Sequence, residues 1–352
     1  MGVRARISAI TRERLLRYLR ILFISGFIGA VYGMRVGVSA SLAVSGLIGV
    51  VNGVLIAGCI AGIEIFALRS KSLRLFFSLP FILLFALKTL TYAAIAAAVL
   101  ASEPGERLVG LAIVFDTRNF TRTIWFSLMV TTVFMVLLQA ASLVGYRTFR
   151  NLLLGKYHRP HPERRFFLFV DVVGSTALAE RLGPLAMHRI LSEIFAAVAE
   201  PIAACRGEIY QYVGDEIVVT WTEDEGSRDA RPVRCFFEIC AALAARENEF
   251  RLRFGIQAEL RAALHLGEVI AGEVGEERRA IVFHGDVMNT ASRLEQATRE
   301  LGFRFIASAE AIQALGILSD LKFRDLGALA LRGRKEPLHA YGIEQFNQAT
   351  IS

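Results

Sequence analysis

Four apolar stretches, at about 18–34, 41–67, 74–100 and 123–146, constrain this chain more than any other feature. A helix needs about 20 mostly apolar residues to cross the hydrocarbon core of a bilayer. Inside that core every backbone amide must be satisfied within the protein, which a helix does for itself. Residues 1–146 are therefore expected to form an all-α membrane bundle of about four transmembrane helices. Apolar residues make up 54% of the 352 positions, and the excess lies before residue 147. Beyond it, charged and apolar residues mix as in a globular domain. The first stretch also admits a second reading, the apolar region of a signal peptide followed by the small residues Val38-Ser39-Ala40. The long Arg-rich start fits an anchor better.

The basic residues set an orientation. Arg4, Arg6, Arg12, Arg14, Arg17 and Arg20 lie before or at the start of the first stretch, Arg69, Lys71 and Arg74 fill the second loop up to the start of the third stretch, and Arg147, Arg150, Lys156 and Arg159 follow the last. The first loop holds only Arg35, and the third, Ser102 to Arg122, mixes both signs. Cytoplasmic loops carry the excess of Lys and Arg, so a multi-pass protein of the cell's inner or plasma membrane is expected, with membrane lipid around it and both termini cytoplasmic. Gly29/Gly33, Gly49/Gly53 and Gly58/Gly62 have the small-xxx-small spacing that lets helices approach closely. They are a candidate dimer seam, although glycine is common in such helices. Glu64 and Lys88 are ionisable at membrane depth. Glu64 lies near the cytoplasmic end and can snorkel, whereas Lys88, mid-span, is a candidate for sensing a ligand or signal.

Two classes of function are disfavoured. The formal net charge is +7, but the basic residues crowd membrane edges and linkers, with no Lys/Arg stripe interleaved with aromatics, so no nucleic-acid partner is expected. Cys59, Cys205, Cys235 and Cys240 lack CxxC spacing, which argues for free thiols over a zinc site or disulfide framework.

A basic linker at 147–163, with Pro160 and Pro162 breaking any continuous helix, leads to a second domain at 164–345. Its pattern predicts a strand at 166–172, a helical region at 175–205, strands at 208–213 and 216–222, a helix at 229–250, a strand at 257–265, a short segment through 281 and a helix at 286–300. Short elements follow to Tyr341. Strand–helix–strand–strand–helix–strand is the ferredoxin-like order of an α+β fold. Asp171 closes the first strand, just before Gly174-Ser175-Thr176, where a helix start offers N–H groups to a phosphate. Asp215 sits at the tip of the hairpin. Asp at strand ends and Gly-Asp at a turn are ordinary turn chemistry, but two carboxylates on neighbouring strands can also hold hard divalent cations.

Three segments then become familiar: Phe169-Val170-Asp171-Val172-Val173-Gly174-Ser175-Thr176, Tyr212-Val213-Gly214-Asp215-Glu216, and Gly285-Asp286-Val287-Met288-Asn289-Thr290-Ala291-Ser292-Arg293-Leu294. Together they resemble the catalytic domain of the class III nucleotidyl cyclases, from about 164 to 342. The resemblance implies conversion of a nucleoside triphosphate to a 3′,5′-cyclic nucleotide and pyrophosphate, by a homodimer with composite sites at its interface. It implies two Mg²⁺ or Mn²⁺ per site, held by Asp171, Asp215 and the Val172 carbonyl. Asn289 and Arg293, four apart on a helix and so on one face, match the pair that positions the ribose and stabilises the transition state. Arg261, before a His-x-Gly turn at 265–267, and Arg332, with Arg334 or Lys335 as neighbours in the same motif, match triphosphate-binding residues. Every chain carries all four of Asp171, Asp215, Asn289 and Arg293, so a head-to-tail homodimer has two complete sites.

The departures fall where the base is chosen. Familiar adenylyl cyclases have Lys where this chain has Gln211, and Asp or Thr where it has Val282; the Glu and Cys of guanylyl cyclases are absent too. Gln211 both donates and accepts, so it can serve either purine, while Val282 offers apolar contact alone. ATP is favoured by the frequency of bacterial-looking adenylyl cyclases. A guanylyl cyclase, or a nucleotide-binding sensor or partner domain of low activity, is the alternative.

Overall fold

The computed structural model describes residues 3–36, 41–67, 80–102, 104–108, 117–277, 279–316, 321–334 and 336–345. Val38-Ser39-Ala40, the basic loop residues Arg69, Lys71 and Arg74, the start of the 74–100 stretch, part of the third loop and Lys335 lie outside them. The chain divides into two compact units, Met1–Ser142 and Leu143–Ser352.

The first unit is helical: α1 (Val3–Val36), α2 (Leu42–Gly62), α3 (Phe81–Ala101), the short α4 (Pro104–Leu108) and α5 (Thr117–Val144). Among the described residues, four segments are long and apolar enough to cross a membrane, Tyr18–Val36, Leu42–Phe66, Ile82–Ala101 and Phe120–Ala141. α1 and α2 pack through their glycines. A Cβ on Gly29 would strike the Gly49 carbonyl, one on Gly49 the Gly29 carbonyl, and one on Gly33 the Ser45 carbonyl. The predicted dimer seam at Gly29/Gly33 and Gly49/Gly53 is thus an intrachain seam, because only glycine lets two backbones come so close. Ile56 and Ile60 of α2 meet Tyr92 and Ala96 of α3 and Met135 of α5.

α2 ends in a π-helical turn, Ile63–Ala67, with Glu64 inside it. Such turns insert a residue into the helical ladder and re-aim a side chain. Here Lys88 Nζ lies 2.6 Å from Glu64 Oε1, and the Tyr92 hydroxyl donates to the same oxygen at 2.5 Å. Lys88 and Glu64 are thus each other's partners.

The second unit begins with α6 (Tyr146–Leu153). It continues β1 (His161–Val172), α7 (Ser175–Leu182), α8 (Pro184–Ala204), β2 (Glu208–Val213), β3 (Glu216–Thr222), α9 (Glu223–Ser227), α10 (Arg231–Ala244), α11 (Glu247–Phe254), β4 (Leu260–Val274), β5 (Ala280–His284), α12 (Val287–Leu301), β6 (Phe305–Ser308), α13 (Ala309–Leu315), β7 (Leu321–Leu329) and β8 (Leu338–Gln345). The sheet order is β2-β3-β1-β4-β6-β8-β7, with β5 paired to β4. Its first four strands have the ferredoxin-like arrangement the sequence pattern predicts.

β1 is buried on both faces, which is why it reads as a continuous apolar run. Alternate residues face opposite ways. Phe166, Leu168, Val170 and Val172 join Ile190, Ile194, Val198 and Ile202 of α8 and Val233, Phe236 and Ile239 of α10. Phe167 and Phe169 face the other layer, with Val218, Val269, Phe283, Val287 and Ala291. Each such side chain contributes roughly 1.5–3 kcal/mol on burial, and truncating Ile194 to Ala costs about 2–5 kcal/mol. Asp171 continues the Phe167–Phe169 row, so strand alternation alone delivers its carboxylate to the α12 face.

Boundaries shift where glycine and proline were read too simply. β1 starts at His161 and includes Pro162, because residues 161–164 pair with β4 alone and no partner needs the missing Pro162 N–H. The helical region at 175–205 breaks at Gly183, whose φ of 81° leads into Pro184 at the first turn of α8. β4 runs 15 residues, straight through 265–267, so the expected His-x-Gly turn is interior strand. Gly267 is there because a Cβ would collide with Val287 of α12.

Candidate active site

In the β1–β4 ladder Asp171 is directly opposite Arg261, and cross-strand neighbours on one face meet. Arg261 Nη2 donates to Asp171 Oδ2 at 2.5 Å, and its Nε donates to Glu295 Oε1 of α12 at 2.8 Å. Arg299, one turn further along α12, donates from Nη2 to the same Asp171 oxygen at 3.0 Å, with Nε 3.9 Å from Glu295. Asp171, Arg261, Glu295 and Arg299 close a ring of alternating charge. Arg261 is therefore an ion-paired interior residue, not a strand-edge surface one. Only Arg299 is substantially exposed; the other three side chains are 14% exposed or less.

Asp215, in the tight β2–β3 turn where Gly214 has φ 63°, brings its carboxyl beside that of Asp171. Burial, then Asp215, pushes the Asp171 carboxyl up to about 6, against the pull of Arg261. Glu216 rises to about 7 through burial and then the negative charges of Glu295, Asp171 and Asp215. The site thus carries more acid than its two arginines neutralise. Among the described residues no group of three His, Cys, Asp or Glu converges to hold a metal by itself. Asp171 and Asp215 supply two hard oxygen donors, the type that binds Mg²⁺ or Mn²⁺ when water and phosphate oxygens complete the shell. The residues present fit that role.

Val172 is the last residue of β1, its side chain in the core beneath α8. Gly174 takes φ 72° just ahead of α7, and Ser175 and Thr176 open that helix, whose first N–H groups have no intrahelical partner. Gln211 is exposed on β2, and Val282, half-buried on β5, pairs with Gly272.

Asn289 and Arg293 form a second group. Asn289 is exposed on α12, and the Arg293 guanidinium lies against Gly333 in the β7–β8 connection. Arg332 is exposed in that connection, while Arg334 Nη1 donates to Thr290 Oγ1 at 3.0 Å. At about 100° per residue, the Asn289/Arg293 pair points about 120° around α12 from Glu295/Arg299. Among the described residues, no hydrogen bond or ion pair joins this group to Asp171 or Asp215.

Glu216, Glu295 and Arg299 were missed by sequence reasoning. Glu216 follows Asp215 directly, and the i, i+4 spacing of Glu295 and Arg299 was a visible signal. Glu295 meets Arg261, 34 residues away, and Arg299 meets Asp171, 128 residues away, so the spacing alone reads as a solvated helix face.

The sequence profile described as the adenylate and guanylate cyclase catalytic domain matches residues 162–345, just over half of the chain. Adenylate cyclase 2 of Rhizobium meliloti (strain 1021) is 39% identical over 201 residues, which span 57% of this chain and 55% of that protein. Adenylate cyclase 1 of the same organism is 31% identical over 187 residues, spanning 50% of this chain and 27% of its own length. The chain thus spans about half or less of these curated relatives. Among solved structures, a bacterial light-regulated adenylyl cyclase has a TM-score of 0.54 at 19% identity, covering 63% of this chain and 66% of that one; the likeness concerns the fold.

Proposed function

Because the chain belongs to the adenylate and guanylate cyclase catalytic-domain family, we propose that it is a membrane-anchored homodimeric adenylyl cyclase, converting ATP to 3′,5′-cyclic AMP and pyrophosphate. The observation that carries this is the meeting of Asp171, Asp215 and Arg261 at the end of β1. In the reaction the ribose 3′-oxygen attacks the α-phosphorus, the bond to the pyrophosphate oxygen breaks, and the hydroxyl proton leaves to solvent.

Asp171, Asp215 and the Val172 carbonyl are the residues that would hold Mg²⁺ or Mn²⁺, two per site. Bound there, the ions lower the pKa of the 3′-hydroxyl and neutralise triphosphate charge. Gly174, Ser175 and Thr176 offer phosphate-facing N–H groups. Arg261 and Arg332 clamp the triphosphate, since a guanidinium fork suits phosphoryl oxygens. Asn289 orients the ribose, and Arg293 meets the charge that develops in the transition state.

The placement of the two groups supports the homodimer. Asn289 and Arg293 point away from their own chain's aspartates, so they serve the site of a second copy. Exposed Tyr212 and Val213 at the β2–β3 hairpin, and Ile270 and Val274 on β4, are apolar surface of the kind such an interface covers. The choice of ATP is supported by the adenylate cyclase relatives rather than by Gln211 or Val282. Four membrane helices with both termini cytoplasmic put the domain beside its nucleotide, by the distribution of Arg and Lys.

Membranes containing the chain should form cyclic AMP from ATP with Mg²⁺ or Mn²⁺. Asp215→Ala should abolish this at an unchanged amount of protein; undiminished turnover in that variant rules the mechanism out. ATP and GTP assayed side by side test the guanylyl alternative, and tight nucleotide binding with no cyclic product under any metal marks a sensor domain.

A further inference from the structure

We infer that Arg165 is a positioning residue for base discrimination: it holds the Tyr210–Phe283 contact that sets Gln211 and Val282 relative to each other. The inference rests on the cyclase reading above.

Arg165, in β1, is only 1% exposed. Its Nε donates to Thr220 Oγ1 at 3.1 Å, Nη1 to Glu163 Oε2 at 2.8 Å and to the Tyr157 hydroxyl at 3.4 Å, and Nη2 to Glu208 Oε2 at 3.0 Å. The guanidinium also lies 4.7 Å from the centre of the Phe283 ring. One side chain thereby ties together β1, β2, β3, β5 and the segment preceding β1. A well-packed apolar core would stabilise this place as well as a buried charge does. What the guanidinium adds is geometry, because its fork of donors has one planar arrangement that Lys cannot copy.

That geometry reaches the two base-selecting positions. β2 is an edge strand and β5 pairs with β4, so no sheet ladder joins them. Their connection is Tyr210 and Phe283, with ring centres 5.1 Å apart and the Tyr210 hydroxyl close to the Phe283 backbone amide. Tyr210 is the extra residue of a β-bulge, since the pairing passes from Ile209↔Val219 to Gln211↔Val218, and bulges re-aim neighbouring side chains. Gln211 follows Tyr210, and Val282 precedes Phe283. Arg165 grips both sides of this bridge, Glu208 two residues before Tyr210 and the Phe283 ring itself. A hydrogen bond from Gln211 to a purine edge fails when donor and acceptor are displaced by about 1 Å.

The test uses the full chain in membranes, with Tyr210→Phe, Phe283→Leu and Arg165→Lys. Tyr210→Phe removes one hydroxyl from a half-buried position and spares the fold. Two quantities are read for each variant: the ATP-to-GTP ratio of kcat/KM, and the ratio of dissociation constants for fluorescent ATP and GTP analogues. All three substitutions are expected to change both ratios by fivefold or more, chiefly through KM, with kcat for ATP within about threefold. Ratios unchanged in folded Tyr210→Phe and Phe283→Leu overturn the inference, as does a fall in kcat with both ratios intact, the mark of a merely structural role. A wild-type chain that binds nucleotide without turnover refutes the cyclase reading, while the binding ratio still decides this inference.

Discussion

Arg299 and Asp171 stand 128 positions apart in sequence, yet Arg299 Nη2 donates to Asp171 Oδ2 at 3.0 Å. Arg261 holds the same oxygen from the neighbouring strand. An exposed arginine and a buried one therefore compete with any cation for one carboxylate.

Removing the exposed competitor should ease metal binding. In Arg299→Gln the Mg²⁺ concentration giving half-maximal cyclase activity should fall roughly three- to tenfold, the modest size expected of an ion pair with one exposed partner. A metal titration of wild type and variant checks this. A rise would mean that Arg299 orients Asp171 rather than blocks it.

A site shared between two copies predicts complementation. Asp215→Ala and Arg293→Ala chains should each be inactive alone, and their co-expression should restore about a quarter of wild-type activity, because half of the randomly formed dimers carry one intact site. No recovery in a mixture shown to form heterodimers would refute the composite site.

His265 sets a pH response of stability. It is buried beside Ser308, sharing a 2.8 Å hydrogen bond with its hydroxyl. Burial, opposed by the charge of Glu310, lowers its pKa from 6.5 to about 4. Between those values the unfolded chain binds the proton and the folded chain does not, so stability falls as pH drops from about 6.5 towards 4. The loss is at most about 3 kcal/mol. Denaturant unfolding of the detergent-solubilised chain from pH 7.5 to 4.5 should show this slope, flattened in His265→Gln. Equal slopes would exclude His265 as its source.

The Glu64–Lys88 pair should behave as a unit. Lys88→Met strands the Glu64 carboxylate at membrane depth and should lower folded yield and thermal stability more than the double substitution Glu64→Gln/Lys88→Met does. A coupling of about 1–3 kcal/mol is expected from a double-mutant cycle. Additive effects would show that the 2.6 Å contact carries no net energy.

Much of this was legible in the chain. Apolar stretches of bilayer length fold as helices, and strand and helix periods depend on neighbours a few residues apart, so the helical half and the ferredoxin-like order followed from local pattern. Asp171, Asp215, Asn289 and Arg293 were singled out by the resemblance of the short segments that hold them, since local pattern alone reads them as turn residues and a solvated helix face. Element ends were less legible at Pro162, Gly183 and Gly267, because a proline or glycine has different uses according to what packs beside it.

The sequence by itself determined the periodicity, the polar marks on it and the strand alternation that turns Asp171 toward α12. Only the tertiary structure decided that Gly29 and Gly49 face each other within one chain, that Lys88 belongs to Glu64, and that Arg261, Glu295 and Arg299 close a ring on Asp171. It also decided that Arg165 is buried among β1, β2, β3 and β5. The physical reason is the same in each case: a charge or a close backbone approach is settled by the partner across the contact. That partner is supplied by the packing of segments distant in sequence, which no local spacing encodes.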